Sequence, residues 1–184
     1  MADAGASEDQ IARLRLIRSE NIGPITYFQL LARFGSARAA LDAIPDLAAR
    51  GGGRAPKLTA RSAVLHEMER VAKCGARYLF LGQGLYPPLL AELENAPPAL
   101  IVKGHLSLLE KPAIAVVGAR NASAAACRLA RMLARDVGAA GAVVVSGLAR
   151  GVDTAAHDGA LESGTIAVIA GGIDIFYPPE NEER

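Results

Sequence analysis

Tryptophan is absent from this sequence, and aromatics are scarce throughout, with four phenylalanines and four tyrosines among 184 residues. An aromatic-rich β-sandwich is hard to build from that stock. The abundant Ala, Gly, Leu and Val instead suit α/β layers with closely approaching helices. Cysteine is nearly missing too. Cys74 and Cys127 stand far apart with no His or Cys at ligand spacing, so no metal site is expected and they read as buried thiols in a reducing compartment. No apolar run approaches the roughly 20 residues that span a bilayer. Met1–Gln10 lacks the basic and apolar regions of an export signal. The expectation is a cytoplasmic protein without a membrane partner.

Excess charge is also missing, since the formal net charge is +1. Its distribution is uneven, however. Residues 1–80 carry twelve Lys or Arg against eight acids, and residues 111–150 carry six against one. Residues 151–184 reverse this, with one Arg against seven acids. Segregation of this kind can make a local anion-binding face without a basic protein.

Three stretches differ in composition. Residues 9–74 read as a helical domain, with Ile11, Leu14 and Ile17, then Leu30, Leu31 and Phe34, at helix spacing. Asn21-Ile22-Gly23-Pro24 breaks the first run and Gly35-Ser36 the second, with Ser36 placed to cap a helix over 37–43. Gly51-Gly52-Gly53 reads as a flexible connector before a helix reaching Lys73. In residues 76–110, Tyr78–Leu81 and Ala99–Val102 read as short buried strands, with a short helix over 88–94 between their Pro-rich punctuation.

The remainder alternates as strand 113–117, helix 123–138, strand 142–145, helix 154–162 and strand 165–170. Continuous apolar strands separated by helices mean an α/β fold, a Rossmann-like parallel sheet with helices on both faces. Residues 76–184 are assigned to it, after the small all-helical domain. In its first helix Leu129, Met132, Leu133 and Val137 form the expected buried stripe, with Arg128, Arg131 and Arg135 on the solvated side.

Ligands of open parallel sheets bind where strands end and helices begin. Two such loops stand out. Gly118-Ala119-Arg120-Asn121-Ala122-Ser123 offers a turn, a planar cation and a helix cap, and free N–H groups there favour an anion. Ser146-Gly147-Leu148-Ala149-Arg150-Gly151-Val152-Asp153 repeats the pattern, with Asp153 as a cap. Two neighbouring loops, each with one Arg, suit successive phosphates. A third, Gly171-Gly172-Ile173-Asp174, follows the last strand. The G-x-G-x-x-G fingerprint and the Walker loop are both absent, so neither a dinucleotide nor ATP hydrolysis is expected, and no cofactor is assigned. Asp153 and His157, one helical turn apart, could form an acid–base pair, but capping and local packing account for them more simply. No catalytic residue is assigned.

Together these residues resemble the DNA-processing protein A (DprA/Smf) family. The resemblance rests on Val117–Arg120, Val145–Asp153 with Ala156-His157, and Gly171–Asp174 with Tyr177-Pro178-Pro179-Glu180-Asn181. Upstream, Tyr86–Leu90, Pro97–Leu100 and Lys103-Gly104 fit the same pattern. It implies a bacterial protein that protects incoming single-stranded DNA in natural transformation and loads RecA recombinase on it, as a homodimer in its full-length form. Carried over by motif, Arg120 and Arg150 become the leading phosphate contacts, supported by Gly118, Ser123, Ser146 and Gly147. The family usually has Gly-Ser-Arg where Gly118-Ala119-Arg120 stand, and often Tyr-Gly at Ala125-Ala126, so one hydroxyl and one aromatic are missing. It also continues with further strands and often a winged helix, which implies a truncated chain. The N-terminal helices fit a helix-hairpin-helix or sterile-alpha-motif-like module with Ile22-Gly23-Pro24 as its turn, either a phosphate contact or a spacer. The enzyme alternative, a nucleoside-monophosphate phosphoribohydrolase, typically carries a Pro-Gly-Gly-x-Gly-Thr loop, which this sequence lacks.

Overall fold

A computed structural model describes residues 7–50 and 56–175. The Gly51–Gly53 connector and Tyr177–Asn181 lie outside the described residues. The chain divides into two compact units, 1–102 and 103–184.

Four helices lead the first unit: α1 (Glu8–Ile17), α2 (Pro24–Phe34), α3 (Ala37–Arg50) and α4 (Arg61–Lys73). Local chemistry sets their ends. Ser7 Oγ accepts the Gln10 amide at 3.2 Å while Gln10 Oε1 accepts the Ser7 amide at 3.1 Å, closing a capping box on α1. Pro24 opens α2, where its missing N–H costs nothing, and Gly35 ends it in the left-handed region at φ 77°. The Ser36 hydroxyl accepts the Ala39 amide as expected, yet α3 runs through Pro45 and ends at Arg50, beyond the predicted 43.

Ala12, Leu16, Tyr27, Leu41 and Ile44 form one core among α1, α2 and α3. Leu30, Leu31 and Phe34 are half-buried against it. Ile11, Leu14 and Val64 form a second core, and its fourth member is Phe80 of β1 (Arg77–Phe80). The strand pairs antiparallel with β2 (Ala99–Val102), setting Phe80 opposite Ala99. Between them, α5 (Pro88–Ala91) is shorter than the predicted 88–94 helix, and the buried Tyr86 donates its hydroxyl proton to Pro97 O at 2.8 Å. A boundary drawn near residue 75 on composition therefore differs from the packing boundary at 102, because β1 completes the helical core. Glu67 adds a polar tie, taking Arg18 at 2.8 Å and the Tyr78 hydroxyl at 2.7 Å. Burial pushes its carboxyl up, but the bonds from Arg18 and Tyr78 outweigh that and hold it below its ordinary value.

The second unit holds a 3₁₀ turn (Leu106–Glu110), then β3 (Ala113–Ala115), α6 (Ala124–Ala139), β4 (Val143–Ser146), α7 (Val152–Ala160) and β5 (Thr165–Ala167). The strands are parallel in the order β3-β4-β5, with Ile114 beside Val144 and Val144 beside Thr165. Val144 packs on Ala134 of α6 and on Ala156 and Ala160 of α7, so both helices cover one face of the sheet. Right-handed crossovers between sequential neighbours place them there. Covering the other face needs the strand order to reverse beyond β3, and among the described residues it does not. β3 is accordingly an exposed edge.

The expected stripe on α6 is overturned at three of its four members, Val137 alone being half-buried against the core. Leu129, Met132 and Leu133 are 52, 46 and 48 % exposed, whereas Ala130, Ala134 and Gly138 are buried. The reason is close helix approach. A Cβ on Gly159 of α7 would lie 2.2 Å from the Arg131 carbonyl oxygen, so α6 presents small residues to α7 and turns its large ones outward. The cysteines differ too: Cys74 and Cys127 are free thiols, only half-buried. No described helix is long and apolar enough to cross a membrane.

Candidate nucleic-acid interface

Because β3 and β4 are parallel neighbours, the segments that follow them leave from one edge of the sheet. The first is 116–123 and the second 147–151. Their roots are stapled: the Val116 amide donates to Val145 O at 3.0 Å, and the Ser146 hydroxyl donates to Val116 O at 2.6 Å. Further out the Val152 amide reaches Ala119 O at 3.3 Å. Gly151 makes this docking sterically possible. Its φ is +81°, and a Cβ there would lie 2.3 Å from Ala119 O and 2.5 Å from Arg120 O. Gly118 lies against the Val152 side chain, where a Cβ would fall 2.7 Å from Cγ2. Arg120 and Arg150, far apart in sequence, thus extend from touching loops, and both are exposed.

The other sequence-derived residues take distinct places. Ser123 is the N-cap of α6, its oxygen accepting the Ala126 amide at 3.2 Å while its own proton remains available to a ligand. Ser146 is 3 % exposed and its proton is committed to Val116, so it joins the two strands from within. Gly147 is exposed above the Asp153 carboxylate. Asp153 does not cap α7, because Gly151 holds that position. Asp153 is buried in the first turn, and its Oδ2 accepts the Ala149 amide at 3.4 Å. That amide is consequently not on offer to a phosphate.

Composition gave no sign of two further features. Leu148 adopts φ 60°, a left-handed conformation rare for a branched residue. Thr154 donates its hydroxyl proton to Ala149 O at 2.7 Å and, with Asp153, holds the loop from below. Only the pairing of Thr and Asp beside Gly151 could have hinted at it. On α6, Arg131 pairs with Asp158 at 3.1 Å and Arg135 with Asp136 at 3.3 Å, exposed pairs worth little. Asp174, beyond β5, is also exposed.

His157 is not aimed at a ligand. It is 2 % exposed, with Nδ1 2.9 Å from Thr165 Oγ1. Thr165 has one proton and gives it to Val144 O at 2.7 Å, so Nδ1 must donate and neutral His157 carries its lone pair on Nε2. Nε2 has no hydrogen-bond partner among the described residues. Burial depresses the His157 pKa, against the opposing pull of Asp153 and Asp158. The unfolded chain then binds a proton more readily than the folded one. The stabilisation is full above the ordinary value of 6.5 and is lost as pH falls from there through the depressed folded value. Urea unfolding of the second unit between pH 7.5 and 5 is expected to show this loss. His157→Gln should flatten that slope, and an unchanged slope would remove His157 as its source.

The model of the DNA recombination-mediator protein A family matches residues 77–184, and that of the DprA-like N-terminal HHH domain matches residues 7–69. DNA processing protein DprA of Streptococcus pneumoniae is 46 % identical over 99 residues, covering 53 % of this chain and 35 % of that protein. Protein Smf of Synechocystis is 36 % identical over 104 residues, covering 53 % and 26 %. These alignments span only about a third and a quarter of the relatives' lengths. The crystal structure of the Streptococcus pneumoniae protein superposes over 97 % of this chain and 62 % of its own, with a TM-score of 0.67 and 30 % identity. DNA processing protein A of Helicobacter pylori, whose single-stranded DNA binding mode was described with its structure, matches with a TM-score of 0.51 and 33 % identity. That match covers 56 % of this chain and 47 % of the other.

Proposed function

The chain belongs to the DNA recombination-mediator protein A family, and on that premise we propose that it holds the phosphate backbone of single-stranded DNA along residues 116–123 and 147–151. The observation that carries this reading is the docking of Gly151 onto the Ala119 and Arg120 carbonyls, which joins two arginine-bearing loops into one edge. Arg120 and Arg150 are the leading phosphate contacts. Gly118 and Gly147 make room for Val152 and Asp153 and keep their own backbone exposed toward the strand, Ser123 offers a hydroxyl, and Ser146 keeps the loop roots together. A planar guanidinium suits phosphate oxygens, and backbone contacts of this kind tolerate any base sequence. The Helicobacter pylori relative supports the choice of a single strand. Loading of RecA recombinase, a role in natural transformation and homodimerisation of the longer protein belong to the same proposal, as does location in the cytoplasm.

We assign no catalytic step. The phosphoribohydrolase alternative needs an acid–base group facing the edge formed by 116–123 and 147–151, and the His157 ring is instead buried against Thr165. Release of free base from a nucleoside monophosphate would revive it.

The test is a titration of a fluorescent oligonucleotide, single-stranded and duplex, across a salt series. Arg120→Ala and Arg150→Ala should each weaken single-strand binding by about tenfold or more, the scale of a charged hydrogen bond. Each should also reduce the steepness of log K against log salt by about 0.7 for every phosphate left without its arginine. Unchanged affinity and slope in both variants would overturn the assignment.

A further inference from the structure

Among the described residues other than glycine, only Asn21 and Leu148 hold a positive φ, at 61° and 60°. Asparagine tolerates that region, whereas leucine is strained in it. The same loop places glycine at 147 and 151, yet keeps leucine at the strained position between them. Two bonds from α7 fix the backbone there. Asp153 Oδ2 accepts the Ala149 amide at 3.4 Å, and the Thr154 hydroxyl donates to Ala149 O at 2.7 Å. A bulky residue held in such backbone points to a use for its side chain. Core packing is not that use, because Leu148 is only half-buried and joins none of the hydrophobic clusters among the described residues.

Its position supplies one. Leu148 shares a loop with Arg150, and that loop docks through Gly151 on the loop of Arg120. Neither 116–123 nor 147–151 contains an aromatic, and Leu148 is the largest apolar side chain in either. The sheet edge on both sides of β4 is apolar as well. Val117 follows Val116, whose amide bonds Val145 O, and the Val168 amide bonds Ser146 O. These two valines are 73 and 63 % exposed.

We propose that Leu148 contacts the bases of the strand whose phosphates lie on Arg120 and Arg150, and so makes this edge selective for single strands. The inference rests on the strand-binding reading above. In a duplex the bases are paired and stacked away from a loop that holds the backbone. In a single strand they can turn onto it. Every base has an apolar face, so the contact adds affinity without reading sequence. The fixed left-handed backbone sets the direction of the side chain in advance, which reduces the ordering lost on binding.

The experiment compares a single-stranded oligonucleotide with an abasic strand of equal length and with the duplex. Leu148→Asn keeps a residue of similar size that tolerates the left-handed region and removes the apolar surface. It should bind the base-bearing strand about tenfold more weakly, the scale of covering half a leucine side chain. The abasic strand should bind it as tightly as the parent, with the salt slope unchanged, since no phosphate contact is lost. Preference for single strand over duplex should narrow by the same factor, and Leu148→Met should retain most of the affinity. Unfolding of Leu148→Asn should need at least as much denaturant as the parent, because strain is relieved and no core is opened. Parental affinity for the base-bearing strand, an equal loss on the abasic strand, or lowered denaturant stability would each overturn the proposal. Failure of the strand-binding reading itself looks different: Arg120→Ala and Arg150→Ala would then leave affinity and slope unchanged, and the role of Leu148 would fall with it.

Discussion

Replacing Gly151 by alanine is expected to weaken single-stranded DNA binding by more than about 100-fold, the product of disabling two charged hydrogen bonds at once. Alanine at either arginine removes one of them, whereas a methyl group at 151 displaces both loops. The added Cβ would meet two carbonyl oxygens at 2.3 and 2.5 Å, and neither belongs to a side chain that can rotate away. The backbone aggravates the clash, since φ +81° with ψ −122° suits glycine and strains any other residue by about 1–3 kcal/mol. The chain relieves this by lifting 147–151 off 116–123, which separates Arg150 from Arg120. Oligonucleotide titration reads the loss, and circular dichroism should report the helices of the first unit unchanged. Parental affinity in Gly151→Ala would mean that loop docking is not what places the arginines.

A second replacement should invert a familiar rule. Glycine to alanine inside a helix ordinarily gains about 1 kcal/mol. At Gly159 it should instead cost about 3 kcal/mol, the upper range for forcing atoms into a packed interface. The new Cβ would lie 2.2 Å from the Arg131 carbonyl oxygen and 3.0 Å from its carbonyl carbon and Cα, all backbone of α6. Moving α6 away opens the cluster of Ala134, Val144, Ala156 and Ala160 on which the sheet depends. Denaturant unfolding monitored on the second unit measures the effect. A stabilised or neutral variant would mean that the two helices are not held at this distance.

These glycines also mark where sequence reasoning succeeded and failed. The β-α-β-α-β order was legible because strands and helices alternate with period and length, and the two arginine loops were legible because parallel strands fix where loops emerge. The helical N-terminal unit was legible from its periodicity and from the stops at Gly23-Pro24 and Gly35. The face of α6 was not. Periodicity rewards large apolar residues, so Leu129, Met132 and Leu133 looked like the inward stripe. Packing against α7 instead selects for smallness, and only the coincidence of Ala130, Ala134 and Gly138 with Gly159 reveals it. The roles of Asp153 and Ser146 were hidden for a related reason. A short polar side chain at a strand end can turn toward ligand or toward backbone, and composition does not record which carbonyl lies nearby. Phe80 shows the same limit at domain scale, since a strand grouped by chain order completes the core of the preceding helices.

The hydrogen-bond relay from His157 through Thr165 to Val144 carries one more consequence, for spectroscopy. It fixes which ring nitrogen bears the proton, so the two imidazole ¹⁵N resonances of this residue have assignable identities. Pulling β5 from β4 would release Thr165, free the ring and let the nitrogens average. Nitrogen labelling of three histidines thus supplies an internal gauge of sheet integrity, readable while DNA is added and without attaching a probe.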